Sequence, residues 1–111
     1  MITIELLRES GADVQDGLRR CLNDESFYLS LVQMVLEDKT FDQLAKAIEA
    51  DDKRAAFEAA HALKGVTGNV SLTPLYTEIS GMTELLRAGK DADYPAYLAR
   101  IQELRSMLLS G

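Results

Sequence analysis

The sequence predicts an all-α protein: an antiparallel, up-and-down four-helix bundle with a short extra N-terminal helix or helices. Three observations carry this. Apolar residues recur at three-and-four spacing along most of the chain. Period-two alternation bounded by Asn-Gly or Asp-Gly turns, the mark of hairpins, is missing. Helix-start signals at Asp24, Asp51-Asp52, Thr73-Pro74 and Asp93 divide the chain into amphipathic segments joined by short loops, which favours antiparallel neighbours around one core.

In chain order, Ile4, Leu6 and Leu7 suggest a leading helix that Ser10-Gly11 ends, and Val14 to Leu22 a second one despite Gly17. From Glu25 to Ala50 the residues Phe27, Leu31, Met34, Phe41, Ala45 and Ile48 keep helical spacing behind a cap at Asp24. The series skips a beat at Asp38-Lys39-Thr40; one long helix is the reading, two shorter ones the fallback. Asp51-Asp52 caps the next helix, which runs to about Asn69 or Val70 with Ala56, Ala59, Leu63, Val66 and Val70 toward the core. Thr73 is placed to cap the following helix, while Pro74 fits its first helical position, where a missing donor costs nothing. Leu75, Ile79, Met82 and Leu86 form its stripe and Gly89 closes it. Asp93 caps a last helix striped by Tyr97, Ile101, Leu104 and Leu108, with Pro95 tolerated in its first turn. Phe27, Phe41 and Tyr97 are expected in the core.

A chain of 111 residues, 47% hydrophobic and 27% charged, has room for one domain, read as residues 1–111, with a core that needs neither metal nor disulfide. Twelve basic against 18 acidic residues give a formal net charge of −6, which argues against a nucleic-acid partner. Cys21 is the single cysteine and reads as a half-buried reduced thiol; no Cys/His cluster with zinc spacing exists. The N-terminal residues lack the basic start and apolar run of a secretory signal, and no segment is long enough to span a bilayer. A cytoplasmic protein with no membrane partner is expected.

His61, the only histidine, lies in Ala59-Ala60-His61-Ala62-Leu63-Lys64-Gly65-Val66-Thr67-Gly68-Asn69. At roughly 100° per residue, Lys64, Gly65 and Gly68 share its side of the helix, opposite the core stripe. Glycine inside a helix costs about 1 kcal/mol relative to alanine, so two on one exposed face need a reason. Two plain alternatives are that the helix ends near Gly65 to Gly68, or that another helix packs on the glycines. Val66 and Val70 carry the core stripe past both glycines, against the first. The second would cover His61 and Lys64 and bury a charge with no evident partner. The chemical reading is that missing side-chain bulk lets a globular partner bring a reactive atom to the imidazole, while Lys64 attracts and partly neutralises an anionic group placed there. Imidazole supplies a neutral nucleophilic nitrogen near neutral pH without an activating base.

Phe57, one turn before His61, leans to the histidine side, either as a satellite of the core or as part of an apolar docking surface. Glu58 could orient the ring, although a solubilising carboxylate is the plainer reading. One histidine without clustered acids makes a zinc or iron site a poor fit. No hydrolase nucleophile motif lies near it, and no Walker loop occurs, so ATP-dependent kinase activity of its own is not expected.

The run His61-Ala62-Leu63-Lys64-Gly65-Val66-Thr67-Gly68-Asn69-Val70 resembles the signature of histidine-containing phosphotransfer (HPt) domains of phosphorelays. The likeness extends to the acidic turn and Ala-rich approach before His61, the Leu75 to Leu86 helix and its Glu84-Leu85-Leu86-Arg87-Ala88-Gly89 ending. It implies that His61 accepts a phosphoryl group from a receiver-domain aspartate and passes it to another, that Lys64 assists electrostatically, and that Gly65, with Gly68, keeps the approach open. It further implies partners among response-regulator receiver domains and a hybrid sensor histidine kinase. No cofactor is needed by this chain, since magnesium belongs to the partner receiver's acidic pocket. A monomer is expected. Ser71 departs from the resemblance where many relatives have glycine, which touches the loop more than the nucleophile.

Besides a phosphorelay intermediate, two other classes are open. A phosphorylation-independent adaptor would bind a receiver or kinase by the same surface, with output that survives His61→Gln. A phosphohistidine phosphatase or other small enzyme acting through His61 would turn over substrate without a receiver, but lacks a partner acid or metal constellation.

Overall fold

A computed structural model describes residues 2–110, so that Met1 and Gly111, the two ends of the expected domain, lie outside the described residues. Its elements are seven helices: α1 (Ile4–Glu9), α2 (Val14–Arg20), α3 (Glu25–Leu36), α4 (Thr40–Glu49), α5 (Lys53–Asn69), α6 (Thr73–Arg87) and α7 (Tyr94–Leu109). No strand occurs among the described residues. Helix α4 packs on α5, α5 on α6, α6 on α7, and α7 back on α4, which closes the four-helix ring. The expected extra helices are α1 and α2, and α3 leans on α2 and α7 outside the ring.

The start signals act through side-chain oxygens that accept from otherwise unpaired backbone amides. Asp24 accepts from Phe27 N at 3.0 Å, Asp52 from Ala55 N at 3.1 Å and Asp93 from Ala96 N at 3.1 Å. Gly89, at φ +66°, ends α6 in the left-handed region, its amide donating to Leu86 O. The start of α6 differs from expectation. Leu72 is its N-cap residue without a side-chain cap bond, and Thr73 is already helical, its hydroxyl donating back to Ser71 O at 3.4 Å. The cause is the preceding turn: Ser71 sits at φ +57° and starts the helix one residue early, with Leu72 driven into the core.

The expected long helix from Glu25 to Ala50 is corrected to two. Asp38 turns its carboxylate onto Thr40, accepting from the amide at 2.8 Å and the hydroxyl at 2.7 Å, and so starts α4 as a separate helix. Across the break, the Arg105 guanidinium of α7 donates to Leu36 O, a carbonyl freed by the end of α3, and lies 4.7 Å from the Phe41 ring centroid. The Thr40 hydroxyl, then its amide, hold the Asp38 carboxyl below its ordinary pKa of 3.8. A depressed carboxyl stabilises in full above 3.8 and loses that contribution as pH falls through its folded value. Asp38→Ala should therefore cost about 1 kcal/mol at neutral pH, a typical cap contribution, and the gap to wild type should close during acid titration. Equal urea-unfolding gaps at neutral pH and well below 3.8 would refute this.

The phase of the first half also needs correction. Tyr28, Val32 and Leu36 are the buried residues of α3, while Phe27 is 51% and Met34 68% exposed. Helix α3 is apolar on nearly every side, so two stripes were available. Tyr28 decides between them: its ring is wholly buried and its hydroxyl donates to Val70 O at 2.8 Å. Gly17 makes room for that ring, since a Cβ there would lie 2.4 Å from Tyr28 Cε1. Phe41 is buried as expected, Tyr97 is half-buried against the core, and Cys21 is a buried free thiol.

Candidate functional site

Helix α5 turns Ala56, Ala59, Ala60, Leu63 and Thr67 inward, and Val70, which follows its last residue, is buried as well. Val66, expected among them, is half-buried, and the wholly buried Thr67 takes the inner position. Thr67 can do so because its hydroxyl donates to Leu63 O at 2.7 Å within the same helix, which leaves no buried donor unpaired. With that face fixed by burial, His61 and Gly65 stand exposed on the other, and Lys64 and Gly68 lie half-buried beside them.

Phe57 is half-buried and stacks on His61, with ring centroids 5.7 Å apart and planes inclined by 15°. Glu58 follows the plainer reading of a solubilising carboxylate: it is exposed, its carboxylate 3.7 Å from Arg54 Nε. Sequence reasoning gave no role to Arg87 or Glu84. The structure brings both to this face from α6. The Arg87 guanidinium carbon lies 5.1 Å from the Phe57 ring centroid, and Glu84 accepts ion pairs from Arg87 Nε at 3.3 Å and Lys64 Nζ at 3.5 Å. The three-residue spacing of Glu84 and Arg87 was visible in the chain; its register against α5 was not.

The two glycines have different surroundings. A Cβ at Gly65 would meet no atom within 4 Å, so the space beside His61 is open there. A Cβ at Gly68 would lie 3.1 Å from Tyr76 Cε1, so this glycine admits the ring of the neighbouring helix. Close packing thus accounts for Gly68 but not Gly65, and Lys64 finds in Glu84 the partner that such packing requires.

These residues edge a cleft of about 590 Å³, with His61, Lys64, Gly65 and Gly68 on one side, Tyr76 beside them and Arg20 of α2 opposite. The α2 wall is fastened to the end of α5. Ser71 Oγ donates to Asp16 Oδ2 at 2.7 Å, Asp13 N donates to Ser71 O at 3.0 Å, and Asp16 also holds Arg19 and, at 3.0 Å, Arg20 Nε. The Ser71 hydroxyl foremost, and the two guanidiniums, hold the Asp16 carboxyl below its ordinary range. Serine at position 71 thereby gains a role glycine could not fill, at the cost of a left-handed conformation that glycine adopts more easily.

Among the described residues, no group of three or more His, Cys, Asp or Glu side chains is placed to hold a metal ion, and no helix is long and apolar enough to cross a membrane. The cleft holds an exposed imidazole flanked by an ammonium and open space, which suits transfer of an anionic group to or from a large partner more than enclosure of a small substrate.

No curated protein and no solved structure matches the chain. The sequence model of the Hpt domain matches it over residues 30–110, from within α3 through the whole of the four-helix ring that carries His61. That match spans most of the chain and coincides with an all-helical fold, and the chain accordingly belongs to the Hpt family, the phosphotransfer domains of two-component signalling.

Proposed function

We propose that this protein is a phosphorelay intermediate whose His61 takes a phosphoryl group from an aspartate of one receiver domain and delivers it to an aspartate of another. The observation that carries the reading is the exposed imidazole with empty space at Gly65 beside it, on the helix where the family's chemistry is expected. An unprotonated ring nitrogen attacks phosphorus. The N–P bond forms as the acyl P–O bond breaks, and the receiver carboxylate leaves with the electron pair. The second ring nitrogen keeps its proton, and the positive ring makes imidazole a good leaving group for the onward step: the second receiver's carboxylate attacks phosphorus, the N–P bond breaks, and the electron pair returns to the ring nitrogen. The receiver supplies the acidic pocket and its magnesium; this chain supplies a positioned nucleophile.

Lys64 assists by offsetting phosphoryl charge, Phe57 fixes the ring by stacking and offers apolar docking surface, and Gly65 admits the partner. Gly68 contributes by drawing Tyr76 flush with the helix. The partners are response-regulator receivers and a hybrid sensor histidine kinase. The chain works as a cytoplasmic monomer, with residues 1–111 forming one unit.

Incubation with a phosphorylated receiver should add one acid-labile phosphoryl group to the protein, read by intact mass. Absence of transfer from every member of a broad receiver panel would overturn the reading. Access is tested at Gly65. The Cβ of a glutamine there would meet no atom within 4 Å in the free protein, so stability should hold or rise by up to about 1 kcal/mol from helix propensity. Transfer from the receiver should nonetheless fall about tenfold or more, because the reacting atoms are held apart. Labelling by phosphoramidate, a small donor, should persist; loss of both activities together would refute an access role.

A further inference from the structure

The ammonium beside His61 is already engaged in the free protein. Lys64 Nζ lies 3.5 Å from Glu84 Oε2, bridging α5 to α6. Glu84 is held in turn from its own helix, where Arg87 Nε lies 3.3 Å from Oε1. The carboxylate thus has one partner fixed one turn away and one on the neighbouring helix. Lys64 follows His61 by three residues, hence on the same helix face, and both border the same cleft. A lysine side chain can swing its head between two acceptors without moving the helix.

We propose that Glu84 is a latch on Lys64: its carboxylate holds the ammonium in the free protein, and a phosphoryl group arriving on His61 takes the ammonium over, leaving Glu84 with Arg87. The inference rests on the phosphoacceptor reading of His61. Its physical basis is charge. A phosphoryl group carries up to two negative charges and three acceptor oxygens against the single charge of a carboxylate, so the ammonium gains by the exchange. Arg87 keeps Glu84 from being left without a cation. No covalent bond changes in the exchange. The latch makes phosphorylation of His61 less favourable than it would be with Lys64 free, which favours onward delivery over storage.

The test is a double-mutant cycle on the phosphoryl equilibrium between the protein and one receiver, measured as the ratio of phosphorylated protein to phosphorylated receiver. Glu84→Gln keeps the side-chain length and removes the charge, and should raise the ratio about two- to fivefold, the scale of an exposed ion pair. Lys64→Ala should lower it. In the Lys64→Ala background the Glu84→Gln gain should largely vanish. An unchanged or lower ratio for Glu84→Gln, with the wild type labelling normally, overturns the latch alone. So does an equal gain in both backgrounds, because Glu84 would then act only by general repulsion. A wild-type chain that takes no phosphoryl group from any receiver overturns the phosphoacceptor reading and the latch together.

Discussion

His61→Gln will take up no phosphoryl group from a receiver that labels the wild type, a loss to background. The amide of glutamine has no lone pair available on nitrogen for attack at phosphorus, so the change removes the reaction itself. The side chain it replaces is exposed and stacks on Phe57. Exposed substitutions of this kind stay within about 0.5 kcal/mol in stability, so lost transfer cannot be blamed on unfolding. Receiver binding should persist, since the docking surface keeps its shape. The pairing of retained binding with lost labelling separates a relay from an adaptor: an adaptor would keep its signalling output in the same variant. A phosphorylated His61→Gln chain would place the acceptor elsewhere and sink the assignment.

Gly17→Ala will destabilise the fold, against the rule that alanine favours a helix. The propensity gain is at most about 1 kcal/mol. Against it stands a Cβ placed 2.4 Å from Tyr28 Cε1, 2.5 Å from Cζ and 2.6 Å from the hydroxyl oxygen, all belonging to a side chain with no exposed surface. The ring cannot withdraw freely, because its hydroxyl is bonded to Val70 O at the end of α5. Overpacking of this kind costs about 1–3 kcal/mol and here outweighs propensity. The melting temperature should fall by roughly 5–15 °C. Tyr28→Leu destabilises in its own right, yet adding Gly17→Ala to it should cost less than in the wild type, since the ring that is struck has gone. A wild-type melting temperature for Gly17→Ala would show that moving the ring costs no more than the propensity gain, and would refute this prediction.

Local chemistry made much of this molecule readable. Asp24, Asp52 and Asp93 each start a helix through a bond three residues ahead, a distance any sequence reading spans. Gly89 ends one through its own backbone freedom. The face carrying His61 and Gly65 followed from helical period, and burial of Ala56, Leu63 and Val70 agrees with it. What escaped depends on partners far along the chain. The buried side of α3 is chosen by Tyr28 reaching Val70, 42 residues away, and the company of Lys64 by Glu84, 20 residues away. Thr67 escaped for another reason. A hydroxyl scores as polar in any periodicity, whereas inside a helix it can satisfy itself on the preceding turn and pass for an apolar residue. The break at Asp38 showed in the sequence as a skipped beat, but the bonds that turn it into a helix start are side-chain geometry.

The bonds that converge on residues 70 and 71 have a consequence for association. Tyr28 on Val70, and Asp16 and Asp13 on Ser71, join α2 and α3 to the end of α5. Both banks of the cleft at His61 are therefore tied together by hydrogen bonds. A protein docking there meets a surface assembled in advance, and the ordering entropy lost on contact falls chiefly on long side chains such as the exposed Arg20, instead of a segment that must first find its shape.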